Sequence, residues 1–295
     1  MITNEETCDK GVESLRRKIG KRAWLWKNII VVIELIVVAG FCLVSVFGHN
    51  FTKESPTHQI LARVREAPNP ESVLGRDELG RDILARLIYG SRYTVGVGFG
   101  TVVFGLAIGG TLGLIAGYFG KQVDNLIMRI MDLALAFPSI LLAIVLISVL
   151  GPGIVNVVVA VGITFVPHFA RLTRSQSLKL REEQYIEAAK SMGASDVRII
   201  FQHILPNALP VTFVQATYSL AEGIITVAGL GFLGLGVQPP TPEWGVMLSR
   251  AREVMFTSQH VVIMPGLALV SLLIIVNMLG DSLRDIGDPW LSRSR

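Results

Sequence analysis

Residues 93–119 read YTVGVGFGTVVFGLAIGGTLGLIAGYF, a run without Asp, Glu, Lys or Arg. The hydrocarbon core of a bilayer is about 30 Å thick and takes about 20 helical residues to cross. A lone strand there would leave its N–H and C=O groups unpaired in hydrocarbon, so the run is expected to be a transmembrane helix. Five further apolar runs are long enough to do the same: Asn28–Phe47, Leu126–Leu150, Ile154–Leu172, Val211–Leu235 and Val261–Gly280. The weak places are Arg129, Asp132 and Pro138 in the third span, and Pro167 and His168 in the fourth. The fold class is thus an all-α polytopic membrane protein with six transmembrane helices.

The composition of the 295 residues agrees. The set AVILMFWYC makes up 51% of the chain and charged residues 17%, against about 25% charged in soluble chains. Mean hydropathy is +0.54. These values exclude a disordered protein, a nucleic-acid-binding domain and a small secreted scaffold. The net charge of +4 is read as orienting the chain in the bilayer, not as a nucleic-acid footprint.

Six spans put both termini on one side. On that assignment the cytoplasmic segments hold 18 Lys/Arg and the outer segments 9, so the termini are expected in the cytoplasm. The first span is longer than a signal-peptide apolar core and no A-x-A site follows it, so it is not expected to be cleaved. Cys8 lies in the polar tail and Cys42 in the first span, so a disulfide between them is not expected. The division expected is a cytoplasmic tail 1–27, a first helix 28–47, an extracytoplasmic loop 48–92, a five-helix core 93–281 and a cytoplasmic tail 282–295. Within the loop, Asp77–Tyr89 is expected to form an amphipathic interfacial helix, with Gly90 as its stop.

Gly105, Gly109, Gly113 and Gly117 recur every four residues on one face of the second span, where another helix backbone can approach closely. Packing within the chain is the expected use. Gly229, Gly231 and Gly234 match G-x-G-x-x-G, but inside an apolar span and not between a strand and a helix, so no nucleotide site is read there. They are expected to loosen or kink the fifth helix. Ionisable groups at membrane depth are functional candidates. Glu34 and Glu222 qualify, and Glu222 lies deeper. Gln215, Asn277 and His168 are the other polar candidates, with hydrogen bonds between helices as their expected role.

The polar stretch Arg171–Pro210 is too patterned for a plain connector. Leu180–Met192 reads as a short helix that Gly193 ends. Ser195 or Asp196 caps a second running to His203, and Pro206 and Pro210 punctuate the approach to span five. The product is a helix–turn–helix elbow, with Ala188 and Ala189 leaving a low surface beside Glu187.

Glu187-Ala188-Ala189, three residues, Gly193, nine residues, then His203-Ile204-Leu205-Pro206 resembles the EAA loop of ABC importer permeases, whose pattern is E-A-A-x3-G-x9-I-x-L-P. His203 stands where the general pattern has Ile, a variation frequent in the peptide-transporter branch. Leu74-Gly75-Arg76-Asp77-Glu78-Leu79-Gly80-Arg81-Asp82-Ile83-Leu84 is similar to the outer segment of the C-type subunit in the dipeptide/oligopeptide/nickel branch. So are Ala136–Ser139, Leu150–Gly153 and Pro240–Gly245. The resemblance runs from about Leu74 to Leu291.

It implies a type I importer transmembrane fold with a coupling loop at 181–206, in which Glu187, Ala188, Ala189, Gly193, Ala194 and Ser195 meet a partner ATPase. It implies a second homologous permease of B type, two ATP-binding cassette subunits and an extracytoplasmic substrate-binding protein. The location implied is the cytoplasmic membrane of a bacterium or archaeon. Glu222, Gln215 and Asn277 are the candidates for the substrate path. The chain has no G-x-x-x-x-G-K-[ST], so ATP and Mg are expected on partner subunits, with no catalytic or metal-ligating residue here. Di- or oligopeptides head the substrate classes, with nickel complexes and glutathione beside them.

Three rival classes remain at this point. An ion-coupled secondary transporter would use Glu222. An intramembrane enzyme would need paired groups that His168, Glu222 and Asn277 do not offer in any hydrolytic spacing. A simple channel lacks a filter-like motif or a charged ring.

Overall fold

The computed structural model describes residues 32–34, 36–41, 43–48, 52 and 54–287. The tail 1–27 with Cys8, the start of the first span at Asn28, Cys42 and the last residues 288–295 lie outside the described residues. Among the described residues every regular element is helical, apart from one isolated bridge between Arg76 and Asp82. The helices are α1 (Val32–Phe47), α2 (Ile83–Phe119), α3 (Lys121–Leu135), α4 (Ser139–Leu150), α5 (Ile154–Arg181), α6 (Gln184–Ser191), α7 (Asp196–Ile199), α8 (Leu205–Phe232), α9 (Trp244–Ala251) and α10 (Gln259–Gly287). Among the described residues four long helices are apolar enough to cross a membrane, and a fifth span arises if α3 and α4 are counted as one.

The glycine stripe builds the centre of the fold. A Cβ on Gly105 would lie 2.6 Å from Cβ of Phe165, one on Gly109 would strike the Val166 carbonyl, one on Gly113 the Ala170 carbonyl, and one on Gly117 would lie 2.7 Å from the Arg174 carbonyl. Both sets of residue numbers rise together, so α2 and α5 run parallel, backbone against backbone. That closeness lets hydroxyls of α5 reach carbonyls of α2: Thr173 donates to Gly110 at 3.1 Å and Ser177 to Leu114 at 3.1 Å. Small residues and interhelical hydrogen bonds are what hold helices together where lipid removes the hydrophobic drive. Around this seam Val97, Val102, Ile147, Val157, Val161, Phe165, Phe169, Val227 and Leu230 form the main core.

Several expected boundaries are corrected. No separate interfacial helix stands at Asp77–Tyr89. Asp77–Asp82 is a turn, and α2 starts at Ile83, where the Asp82 carboxylate accepts from Ala85 N at 2.8 Å. The helix passes through Gly90 without stopping, because that glycine makes room for the Trp244 ring. The third span is two helices, α3 and α4, meeting at 91° beside Pro138. Residues before a proline leave the helical region and the ring removes a donor. Arg174 pairs with Asp124, and Arg171 with Asp132 at 2.6 Å, tying α3 to α5.

The fourth span does not end near Leu172: α5 carries Pro167 in its interior and continues to Arg181. In turn α6 begins at Gln184, not at Leu180. The prolines at 206 and 210 do not punctuate either. A five-residue π turn, Ile200–Ile204, joins α7 to α8, and Pro206 falls in the first turn of α8, where a missing N–H costs little. The Gly229–Gly234 cluster ends α8 after Phe232 instead of kinking it: Gly231 packs under α9, and Gly234 has φ +80°.

Candidate functional site

The elbow lies between α5 and α8. Its first arm, α6, buries Ile186 and Ala189, positions three apart and therefore on one face. Ile186 joins Leu114 and Tyr118 of α2 and Ile199, Ile200 and Ile204 in a second apolar cluster; Ala189, expected beside Glu187 on the low outer surface, is instead buried on the inner face. This face leaves Glu187 and Ala188 exposed on the other side. Ala194 is half-buried against the same cluster, and Ser195 is exposed.

The angle between the arms is set by Gly193. Its φ of +83° is left-handed, and a Cβ there would meet nothing within 4 Å. Glycine is therefore needed for conformation and not for space. Gly193 N donates to Lys190 O at 2.9 Å and Ala194 N to Ala189 O at 3.0 Å, closing α6. The Ser195 hydroxyl accepts from Arg198 N at 3.4 Å and opens α7.

Behind the elbow is an open cavity of about 470 Å³, lined by Tyr118, Arg181, Glu182, Glu187, Lys190 and Asp196. Its walls carry both signs of charge. Tyr118 Oη donates to Asp196 at 2.5 Å, and Arg181 donates to the Tyr118 carbonyl at 3.1 Å. The second arm of the elbow and the end of α5 thus both hold the end of α2.

The path candidates are not brought into this site. Glu222 and Gln215 sit seven residues apart on α8, which places them on one face. Glu222 is exposed and Gln215 half-buried. Gly223 is the residue that packs against α2, 2.8 Å from Thr101 Oγ1 for a built Cβ, so Glu222 is turned away from the core. Asn277 is exposed and donates to Leu273 in its own helix at 2.9 Å. The expectation of hydrogen bonds between helices for Gln215, Asn277 and His168 is corrected: among the described residues none of the three makes one. Each is at least partly open, and a side chain facing outward has only its own helix in reach.

Sequence reasoning missed residues 54–82 as a built structure. Arg76 is fully buried and donates to both oxygens of Glu54 at 2.7 and 2.9 Å and to Gly80 O at 3.1 Å. Arg81 pairs with Asp77 at 2.6 Å, and Ser72 donates to Asp82 at 2.6 Å. The hydrogen bonds from Arg76 hold the Glu54 carboxyl below its ordinary value, whereas burial, with Asp77 beside it, pushes Glu78 up. A second knot surrounds Glu243. It caps α9 by accepting from Gly245 N at 2.8 Å and Val246 N at 2.9 Å, and receives Thr94 Oγ1 of α2 at 3.3 Å. The signal was available, since Arg-Asp and Gly repeat within residues 74–83 and Glu243 precedes Trp244-Gly245, as a capping residue would.

The chain thus forms a helical bundle seamed by glycines between the parallel helices α2 and α5, with an exposed elbow between α5 and α8. Residues 109–293 match the family described as binding-protein-dependent transport system inner membrane component, and the chain belongs to that family. It is 45% identical to the dipeptide transport system permease protein DppC of Alkalihalophilus pseudofirmus, over 90% of this chain and 87% of the relative. It is 42% identical to the glutathione transport system permease protein GsiD of Pectobacterium atrosepticum, over 96% of this chain and 94% of that one. Its fold is similar to an inward-facing crystal form of the MetNI methionine ABC transporter, with a TM-score of 0.55 at 22% identity, covering 69% of this chain and 97% of that one. The chain is an ABC importer permease, a multi-pass membrane protein of a transport family and not of an enzyme family.

Proposed function

We propose that this chain is the C-type permease of a peptide importer, forming half of a translocation path with a B-type permease. In this reading α1 completes a set of six spans, both termini face the cytoplasm, and the complex sits in the cytoplasmic membrane. Two ATP-binding cassette subunits supply ATP and Mg chemistry, and an extracytoplasmic binding protein delivers substrate. Di- or oligopeptides are the proposed cargo, supported by the names of the relatives, with glutathione as the nearest alternative.

One observation carries the coupling role. Glu187 and Ala188 are displayed on α6 while Ile186 anchors that helix to α2 and the start of α8 and Ala189 is buried beside it. An exposed Glu187-Ala188 pair on a rigid base suits a cleft in a partner ATPase. Closure of the ATPase pair would push the elbow, and the elbow would turn the helices it is packed on. Such a switch works only if the partner contacts differ between the two states. Glu187 would serve as the polar anchor, Gly193 would fix the angle, and Ala194 and Ser195 would start the second arm. Glu222, with Gln215 on the same face, would line the path between the two permeases, and Asn277 is the weaker third candidate.

The test is to tag this chain, extract it in mild detergent and identify what co-purifies. Recovery of a second permease and two P-loop ATPases supports the reading. A chain that purifies alone and takes up dipeptide in liposomes without ATP overturns it, and favours ion coupling through the outward-facing Glu222 carboxylate.

A further inference from the structure

An elbow can act as a lever only if it is fastened to what it must move. Two separate contacts fasten this one to the last turn of α2, and a third, from the end of α5, holds the same turn. The Tyr118 hydroxyl donates to Asp196 at 2.5 Å across 78 residues of sequence. The Lys190 ammonium of α6 lies 5.2 Å from the centre of the Tyr118 ring, within the range of a cation–π contact. Arg181, at the end of α5, donates to the carbonyl of Tyr118 at 3.1 Å and reaches that of Gly117 at 3.4 Å. These are carbonyls of the final turn, which have no partner inside their own helix. The ring itself is buried among Leu114, Ile186, Ile199 and Ile204.

The burial of the ring explains why α6 stays on α2, but it does not require a hydroxyl. A phenylalanine would fill the same space. The hydroxyl reaches the first residue of α7, beyond the Gly193 turn, so it fixes the second arm and not the first. Without it, the second arm is joined to α2 by apolar contacts that tolerate sliding.

We propose that the Tyr118–Asp196 hydrogen bond is the latch that makes the elbow and α2 move as one body, and that Tyr118 is a positioning residue of the transport cycle. This rests on the coupling role proposed above for the elbow. At its far end α2 meets α9 through Trp244 and Glu243, and its 37 residues span about 55 Å at 1.5 Å per residue. The latched unit therefore connects the elbow directly to the outer cap of the bundle.

The experiment uses the assembled complex, isolated through a tag on this chain. Spin labels are placed at the exposed positions Thr111 of α2 and Val197 of α7, in a background with Cys8→Ser and Cys42→Ser. The distance is read without nucleotide and with ATP and vanadate. The latch predicts one narrow distance in both states for the parent chain. Tyr118→Phe keeps the ring and gains a second, displaced population, enriched roughly fivefold, the equilibrium worth of one ordinary hydrogen bond. With Tyr118 intact, Asp196→Asn retains an acceptor oxygen and keeps the single distance, whereas Asp196→Ala removes the acceptor without touching the buried ring and gains the same second population, an effect that a merely space-filling role for Tyr118 would not show. A single narrow distance in Tyr118→Phe in both states overturns the latch while leaving the elbow reading intact. Absence of any ATPase in the purified parent complex overturns both.

Discussion

The indole Nε1 of Trp244 donates to the backbone carbonyl of Leu87 at 3.0 Å, joining positions 157 residues apart. The same ring lies beside Gly90, where a Cβ would come within 2.9 Å of it. Trp244 is 2% exposed, so both its polar and its apolar parts are committed to α2. Trp244→Phe removes the hydrogen bond and is expected to cost about 1 kcal/mol. Trp244→Ala also leaves a cavity and is expected to cost about 3–5 kcal/mol. Thermal unfolding in detergent, following α2 by hydrogen exchange, separates the two.

The seam between α2 and α5 makes a sharper prediction. Gly113→Leu drives a side chain into the Ala170 carbonyl and the Thr173 hydroxyl, both fixed by the hydrogen bonds of α5. Backbone cannot yield as a flexible side chain can, so the cost is expected at or above the upper end of ordinary overpacking, about 3 kcal/mol. Gly96→Leu, on the same helix with nothing within 4 Å of its built Cβ, is expected to leave the yield of folded protein unchanged. Size-exclusion profiles of the two variants check the contrast.

The segment 54–82 should respond to acid with a defined sign. Glu54 is held below 4.5 by the hydrogen bonds from Arg76, and Glu66 by that from Arg63. A carboxyl whose folded value is depressed contributes stability that is fully present above 4.5 and is lost as pH falls through the folded value. Glu78 is raised, first by burial and then by Asp77, so its contribution has the opposite sign and is lost as pH rises through its folded value. Hydrogen-exchange protection over residues 54–82, taken relative to the intrinsic rate at each pH, is expected to fall below about pH 4.5. Glu54→Gln should weaken that acid dependence and raise exchange at neutral pH.

Glu222 divides the importer reading from ion coupling. If it lines the path, Glu222→Gln lowers uptake of a labelled dipeptide by up to about tenfold and leaves the requirement for ATP intact. Uptake that collapses with the proton gradient, and loses that sensitivity in Glu222→Gln, would support a secondary transporter instead. Parallel assays with an uncoupler and with ATP depletion check this.

Much of the architecture was legible because bilayer thickness imposes a length on apolar runs. The cores of α2, α5, α8 and α10 follow from that rule, as does the glycine seam, whose four-residue spacing has one geometric meaning. Helix ends were less legible. Gly90 reads as a stop and Pro206 as punctuation before span five, yet Gly90 serves the Trp244 ring and Pro206 sits in a first turn where no donor is missed. Local propensity cannot tell a glycine needed for room from one needed for conformation. At Gly193 the conformational reading was right, because a short polar helix followed by Gly and then Ser-Asp leaves little else to do. Tyr118–Asp196 could not be read at all: it depends on α2 ending where α7 begins, which is a property of the packing.

The most direct test of the elbow is Gly193→Val in the reconstituted transporter. At φ +83° a β-branched residue is strained by more than the ~1–2 kcal/mol that the left-handed region costs an ordinary one. The turn is therefore expected to open. The surface around Gly193 is free, so the rest of the fold has no steric reason to change. The quantity to measure is labelled dipeptide taken up per ATP hydrolysed, with the amount of ATPase retained on the tagged complex as a control. A fall of roughly tenfold in that ratio, the equivalent of ~1.4 kcal/mol, with ATPase still bound, is the result this account predicts. An unchanged ratio would contradict it.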